Sequence, residues 1–338
     1  DLAALREIED SAIRDAVKMQ QDVGLQAVTD GEMRRASWHM DFLYQFGGVT
    51  KVQDNLKVRF HNEKGDIEFT PSALRVVGKL KTVKTIFGDD FSFLKSVAKV
   101  QPKLTIPSPS MMHYRGGRAA IDANVYPTLE EFYADLAAAY AEEIEALGKL
   151  GCTYLQLDDT SLAYLNDPAQ REHVQQLGGD AATQHMTYIK LINDSLKKKP
   201  ANMSVTTHLC RGNFRSSWVA SGGYDHVAEA LFNQTNVDGF FLEYDDDRSG
   251  DFRPLRFLPK GKIVVLGLVT TKFGEMESKD TLKRRIEEAA RYAHLEQLAL
   301  SPQCGFSSTV HGNNIAVEDQ RHKLRLVVET AQEVWGNT

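Results

Sequence analysis

The stretch Met203-Ser204-Val205-Thr206-Thr207-His208-Leu209-Cys210 is a β-branched, largely apolar run that ends on two metal-ligand residue types. Two other runs end in a similar way. Gly239-Phe240-Phe241-Leu242 closes on Glu243, and Leu298-Ala299-Leu300-Ser301-Pro302-Gln303 leads into Cys304-Gly305. Residues i and i+2 of an extended strand point to one side, so His208 and Cys210 can share an ion. One His, two Cys and one Glu suit Zn²⁺, a borderline-soft ion that accepts imidazole, thiolate and carboxylate together. Structural zinc knuckles draw their ligands from short paired motifs, whereas these come from three distant strand ends. That placement points to a metal held for chemistry.

Such runs alternate with longer helical patterns along the whole chain, the signal for βα units on a parallel sheet. Strands are predicted over residues 25–29, 103–107, 154–157, 203–207, 239–242, 263–268 and 298–301. Helices are predicted over 2–23, 129–150, 180–196, 224–232, 281–294 and 318–334. A closed parallel barrel has eight strands, and residues 2–23 read as a helix. The first strand is therefore expected before residue 1, in a natural N-terminus longer than this sequence. The predicted fold is α/β, a (β/α)8 TIM barrel forming one domain over 1–338. An open doubly wound sheet would gather ligands at one switch point; polar residues at nearly every strand end fit a barrel mouth better. No glycine-rich phosphate fingerprint follows any strand.

Residues 46–80 break the rhythm. Leu56-Lys57-Val58-Arg59-Phe60 and Asp66-Ile67-Glu68-Phe69 alternate with period two around Asn62-Glu63-Lys64-Gly65, which predicts a β-hairpin inserted after the second barrel strand. It follows the strand-end residue Glu32 and so should rise from the active-site face, either as a lid or as a plain surface or dimer-contact insertion.

The 338 residues are 42% hydrophobic and 25% charged, enough to bury one large barrel core. A net charge of −6 argues against a nucleic-acid partner. No apolar stretch approaches the roughly 18–20 residues of a membrane helix. No signal peptide is visible, and the opening at Asp1 without a Met leaves a preceding leader open. With three Cys and two of them assigned to the metal, a disulfide framework is not expected, and a cytoplasmic location is. Cys152, six residues before Asp158, would lie roughly 20 Å away at the far end of the barrel as a small buried residue. Oligomeric state is not legible.

At the barrel mouth the sequence resembles the C-terminal catalytic barrel of the cobalamin-independent methionine synthases. The resemblance spans essentially the whole chain and is most specific at Thr207-His208-Leu209-Cys210, Phe241-Leu242-Glu243 and Ser301-Pro302-Gln303-Cys304-Gly305. It implies that His208, Cys210, Glu243 and Cys304 bind a catalytic zinc that takes the sulfur of homocysteine as an additional ligand. Two further signatures recur, Asp30-Gly31-Glu32 with Arg34, and Gln156-Leu157-Asp158. By this resemblance Glu32 and Asp158 hold the homocysteine α-ammonium; the plainer alternative is a set of mouth salt bridges to Arg34, Arg35 or Arg211.

The chain also departs from the family. No N-terminal barrel is present, and the Asp-Glu-Pro continuation of the Gln-Leu-Asp motif is Asp159-Thr160. Where the family carries a His in an Asp-x-His segment, implied to protonate the folate leaving group, Thr270-Thr271-Lys272 stands instead. These features resemble the short single-barrel relatives. The methyl donor is then a folate, methylcobalamin or another compound, with Lys272 expected to anchor an anionic part of it and methyltetrahydrofolate expected to turn over slowly. Two other classes stay open: an alkyltransferase acting on another thiol such as coenzyme M, for which Arg211, Arg215, Arg248 and Lys272 would supply cations, and a non-catalytic zinc-binding or corrinoid-docking partner. Asp245-Asp246-Asp247 reads as a solvated loop rather than a hard-cation site.

Overall fold

The parallel pairing predicted from the apolar runs is realised strand by strand. The computed structural model describes residues 1–53 and 57–336. Its strands are β1 (Ala27–Val28), β2 (Gly47–Val52), β3 (Val58–Asn62), β4 (Gly65–Phe69), β5 (Ala73–Lys81), β6 (Gln101–Pro102), β7 (Leu104–Pro107), β8 (Tyr154–Asp159), β9 (Ser204–Leu209), β10 (Gly239–Glu243), β11 (Ile263–Val269) and β12 (Leu298–Pro302). Strands β7 to β12 form one parallel sheet in sequence order. β1 pairs in parallel with β6, which runs on into β7. The seven predicted barrel strands are thus all present and neighbour one another in chain order. Among the described residues no strand pairs with the outer edge of β1 or of β12.

The helices are α1 (Leu2–Asp22), α2 (Met40–Leu43), α3 (Gly88–Val97), α4 (Leu129–Lys149), α5 (Ser161–Tyr164), α6 (Pro168–Gln176), α7 (Gln184–Ser195), α8 (Ala228–Gln234), α9 (Lys279–Ala289) and α10 (Val317–Trp335). Alternation along each strand sorts the side chains. Leu155, Leu157, Val205, Leu209, Phe240 and Leu266 are fully buried, the outward set covered by helices. Tyr154, Thr206, Phe241 and Val265 point inward around a cavity of about 320 Å³. Register then fixes the mouth: Asp158 pairs with His208, and His208 with Phe241, so the ligand-bearing ends finish level with one another. Cys152 is buried just before β8, at the end away from Asp158, as expected.

The insertion is larger than its hairpin. β3 and β4 pair antiparallel with Asn62 opposite Gly65, so the connection is Glu63-Lys64. Leu56, which the sequence pattern places in the first hairpin strand, lies outside the described residues. The pattern did not disclose β2 and β5, which flank the hairpin in the chain and pair antiparallel with a register shift between Gly47 and Val49. Gly48 has φ 89°, and a Cβ there would meet the Gly78 carbonyl at 2.5 Å, so this irregular crossing requires glycine. The hairpin leans on the loop that follows Cys210. His61 and Trp218 exchange backbone hydrogen bonds of 2.6 and 2.9 Å, and Phe60 and Phe69 stack on Phe214.

Glu143 of α4 tethers the segment entering α3. It is fully buried, and its carboxylate accepts the Ile86 N–H on both oxygens at 2.9 and 3.0 Å. Burial, opposed by the Ile86 and Phe87 N–H groups, pushes its pKa from 4.5 up to about 7. The folded state therefore binds the proton more tightly than the unfolded chain. Stability from this group is present at low pH and declines as pH rises from 4.5 to about 7. Glu143→Gln is expected to abolish that decline, worth at most about 3 kcal/mol, in urea unfolding measured across this range. An unchanged pH slope in the variant would contradict the assignment.

Candidate metal centre

His208 and Cys210 leave the end of β9, Glu243 ends β10, and Cys304 follows β12. One ligand atom from each lies within 4.8 Å of all the others. The two sulfurs are 3.6 Å apart and both thiols are free, so this is not a disulfide, whose sulfurs sit near ~2.05 Å. His208 Nε2 is buried without a hydrogen-bond partner. Two thiols, a carboxylate and an orphaned imidazole nitrogen, converging from three strands, form a donor set that fits a tetrahedral Zn²⁺. The residue types read from the sequence are thus brought together.

Packed this closely, these groups perturb one another strongly. The Cys210 thiol is pushed well above its usual range by the Cys304 sulfur and by burial, while hydrogen bonding from Cys210 and the adjacent His208 hold Cys304 well below it. Burial would lower the His208 imidazole, yet the Cys304 sulfur, Asp158 and Glu243 raise it to about 9. Burial raises Glu243 to about 7 against the opposing charge of Lys272.

Glu243 is held from several sides. Its Oε2 accepts the Arg211 N–H at 3.1 Å, and its Oε1 accepts from Gln303 Nε2 at 3.5 Å. Its own N–H donates to the Tyr224 hydroxyl at 2.8 Å, and Arg211 Nη1 donates to its carbonyl at 3.1 Å. Beside it, a Cβ on Gly267 would meet the Leu242 carbonyl and the Gln303 Cα at 2.8 Å; glycine lets the Cys304 loop close on β10. Sequence reasoning missed Arg211, Tyr224 and Gln303 as supports. Arg211 and Gln303 adjoin ligands in the chain, a usable signal; Tyr224 carries none.

Lys272 is buried, 2% exposed, with Nζ at 3.6 Å from the equally buried Asp245 carboxylate. Asp245 is therefore not part of a solvated loop: its side chain turns under the mouth to meet a lysine 27 positions on (272 − 245), which a run of three acids does not reveal. Lys272 adjoins Glu243 electrostatically. Anchoring a donor carboxylate, as read from the sequence, would require this ion pair to open.

Glu32 and Asp158 form a second acidic group. Glu32 sits at φ 55°, a left-handed conformation costly for a residue with a Cβ. Its carboxylate accepts from Thr105 Oγ1 at 2.6 Å and pairs with Arg35 at 3.2 Å. Asp158 accepts from Gln156 Nε2 at 2.7 Å. Burial raises both pKa values, and Asp158 adds to the shift at Glu32, so the two carboxylates share one neighbourhood. Of the salt-bridge partners weighed, Arg35 engages Glu32, Arg34 goes to Asp10 and Asp90, and Arg211 supports Glu243.

The catalytic-domain model of the cobalamin-independent synthases matches residues 111–333. The uncharacterized Bacillus subtilis protein YxjH is 47% identical over 98% of this chain and 86% of its own length. The methionine synthase of Pyrococcus abyssi is 25% identical over 87% of this chain and 76% of its own. A crystal structure of a candidate vitamin-B12-independent methionine synthase from Listeria monocytogenes superposes with a TM-score of 0.76 and 38% identity, covering 98% of this chain and 88% of that one. No helix among the described residues is long and apolar enough to cross a membrane. The chain belongs to the cobalamin-independent methionine synthase family, a family of methyltransferases built on the TIM-barrel catalytic domain.

Proposed function

We propose that this chain is a zinc-dependent methyltransferase that moves a methyl group to the thiol of homocysteine, giving methionine. The observation that carries the reading is the four-ligand cluster of His208, Cys210, Glu243 and Cys304, with Asp158 opposite His208 in the strand register. The relative from Pyrococcus abyssi bears the name methionine synthase. Zinc held by these four residues would keep the substrate sulfur as a thiolate at neutral pH, where a free thiol of pKa near ~8.5 is mostly protonated.

The chain's own residues then bind and orient. Glu32 and Asp158 accept charge-assisted hydrogen bonds from the α-ammonium. Arg35 and Gln156 hold these carboxylates in place. The methyl carbon leaves its donor and bonds to sulfur, and the donor's leaving atom keeps the electron pair. A methyltetrahydrofolate leaving group requires a proton. The group at the relevant strand end, the Lys272 ammonium, is 2% exposed and ion-paired. The role that fits it is electrostatic support of Glu243 and the ligand shell. A more reactive donor, such as methylcobalamin, a sulfonium or a methylated thiol, suits this site better than a folate.

The cations that an anionic thiol such as coenzyme M would require are mostly committed. Arg211 is tied to the Gly222 and Glu243 carbonyls, Arg248 to Asp246, and Lys272 to Asp245.

Three expectations follow from these assignments. Cys210→Ser and Cys304→Ser should each lose zinc, read by metal analysis after reconstitution, while their melting temperatures stay near that of the metal-free wild type. Full zinc occupancy in both would remove the ligand assignment. Glu32→Gln and Asp158→Asn should each raise the homocysteine KM by about 30-fold or more, since losing one partner of a buried charge pair costs ~2–5 kcal/mol, with a far smaller effect on thiols that lack the amine. Equal losses for both thiol classes would count against the ammonium pocket. Zinc-loaded protein offered homocysteine with each donor in turn should form methionine fastest with a donor other than methyltetrahydrofolate. No methionine with any donor would overturn the function, and methyltetrahydrofolate as the best donor would overturn the donor argument.

A further inference from the structure

Three of the loops that leave the barrel strands are tied together by two asparagine amides. Asn213, on the loop after β9, donates from Nδ2 to the Gly305 carbonyl and to Ser308 Oγ, both at 2.9 Å. Its Oδ1 accepts from Asn313 Nδ2 at 2.9 Å, and the same Nδ2 donates to the Thr271 carbonyl at 3.1 Å. Asn313 Oδ1 in turn accepts the Ser216 N–H at 2.9 Å. A carbonyl only accepts and a backbone N–H only donates, so each amide has one orientation that satisfies its partners. The direction of the chain is therefore fixed from Ser216 through to Ser308.

The backbone holds its starting point. Arg215 and Ser216 lie at φ 48° and 61°, the left-handed region, between Phe214 and Ser217, which exchange backbone hydrogen bonds of 3.1 and 2.9 Å. Such a turn ordinarily takes Asn or Gly at these positions. Ser216 is buried; its Oγ donates to the Lys272 carbonyl at 2.6 Å and accepts the Asn314 N–H at 2.8 Å. Strain of this kind persists where surrounding contacts over-determine it, and these contacts aim the Ser216 N–H at Asn313.

The chain ends on a metal ligand. Ser308 Oγ already accepts from Asn213, and its remaining side-chain partner among the described residues is Cys304 Sγ at 3.5 Å. A metal-bound cysteine is a thiolate with no proton to give, so the hydroxyl donates and the sulfur accepts. Cys210 has a donor of its own, the Gly212 N–H at 3.4 Å. A hydrogen bond donated to a thiolate draws charge from the sulfur and lowers its reactivity toward carbon. In a methyl transfer to a zinc-held substrate thiolate, the two protein thiolates are nucleophiles of the same chemical class at the same ion. Methylation of Cys304 would turn a charged ligand into a neutral thioether.

We propose that Ser308, oriented by Asn213 and Asn313, is a positioning residue that donates to the Cys304 thiolate and shields it from methylation, leaving the methyl group to the substrate sulfur. This rests on the proposed zinc centre and methyl transfer, and adds how the protein's own sulfurs are spared.

The test exposes the full zinc-loaded chain, without homocysteine, to methyl iodide and follows Cys304 and Cys210 by peptide mass mapping. The sulfur attacks the methyl carbon, the C–I bond breaks, and iodide leaves with the electron pair. Both cysteines are half-buried, and Cys210, with its backbone donor, is the internal reference. Ser308→Ala is expected to keep its zinc and to speed methylation of Cys304 roughly 3- to 12-fold relative to Cys210, half the worth of a hydrogen bond to a charged group. Ser308→Thr, which keeps the hydroxyl, should return the ratio to that of wild type. A residue that merely braces the loop would change both cysteines together or release zinc. An unchanged ratio in Ser308→Ala, loss of its zinc, or an acceleration that Ser308→Thr shares overturns the proposal. Should Ser308→Ala fail to fold, seen by circular dichroism, a crystal structure of the zinc-loaded wild type decides: Ser308 Oγ should stay within 3.5 Å of Cys304 Sγ, and a hydroxyl turned away overturns the proposal as well. A wild type that takes up no zinc ends the functional reading and this inference with it. A wild type that holds zinc and forms methionine, with no effect of Ser308, removes this inference alone.

Discussion

Two thiols, a carboxylate and an imidazole gathered within 4.8 Å are an expensive arrangement unless a cation joins them. Much of the architecture of the mouth can be understood as the means of imposing that crowding. Parallel register levels the ends of β8, β9 and β10. The absent side chain of Gly267 lets the Cys304 loop press against β10. Arg211 and Tyr224 clamp the Glu243 backbone, and the Lys272–Asp245 pair adds charge beneath it. The same crowding pushes the Cys210 thiol up and holds Cys304 down. A divalent ion held there would favour both thiolates at once.

Around this core the charges divide into engaged and available groups. Most cations of the mouth are consumed in fixing acids or carbonyls, which gives rigidity and leaves little to recruit an anionic thiol. The acids Glu32 and Asp158 remain partly accessible and mutually repelling, a state an ammonium relieves. The φ of 55° at Glu32 fits the same account, because strain of this kind persists where a side chain must be aimed.

The legible part of this molecule was what local pattern encodes. His208, Glu243 and Cys304 stood out because each closes an apolar run, and in a parallel barrel every run ends at one face. The seven strands and the long helices α4, α7 and α10 followed from periodicity, with helix ends shifted by a few residues. The illegible part was contact between segments distant in the chain. β2 is mostly half-exposed and its register with β5 shifts at Gly47/Val49, so it lacks clean alternation, whereas β5 does alternate and the sequence reading passed over it. Asp245 looks solvated until Lys272 folds over it. Asn213 and Asn313 lie on two loops, 100 positions apart, and nothing in either stretch announces the other. Zinc, homocysteine and the ammonium role of Glu32 and Asp158 came from ligand chemistry joined to family resemblance rather than from spacing alone.

The central claim is that the four-ligand centre exists to receive a substrate sulfur. Zinc-edge X-ray absorption on the loaded protein, with and without homocysteine, addresses it directly. The account predicts one additional Zn–S scattering path on adding homocysteine and none on adding coenzyme M. A spectrum unchanged by homocysteine, or an equal new path with coenzyme M, would contradict it.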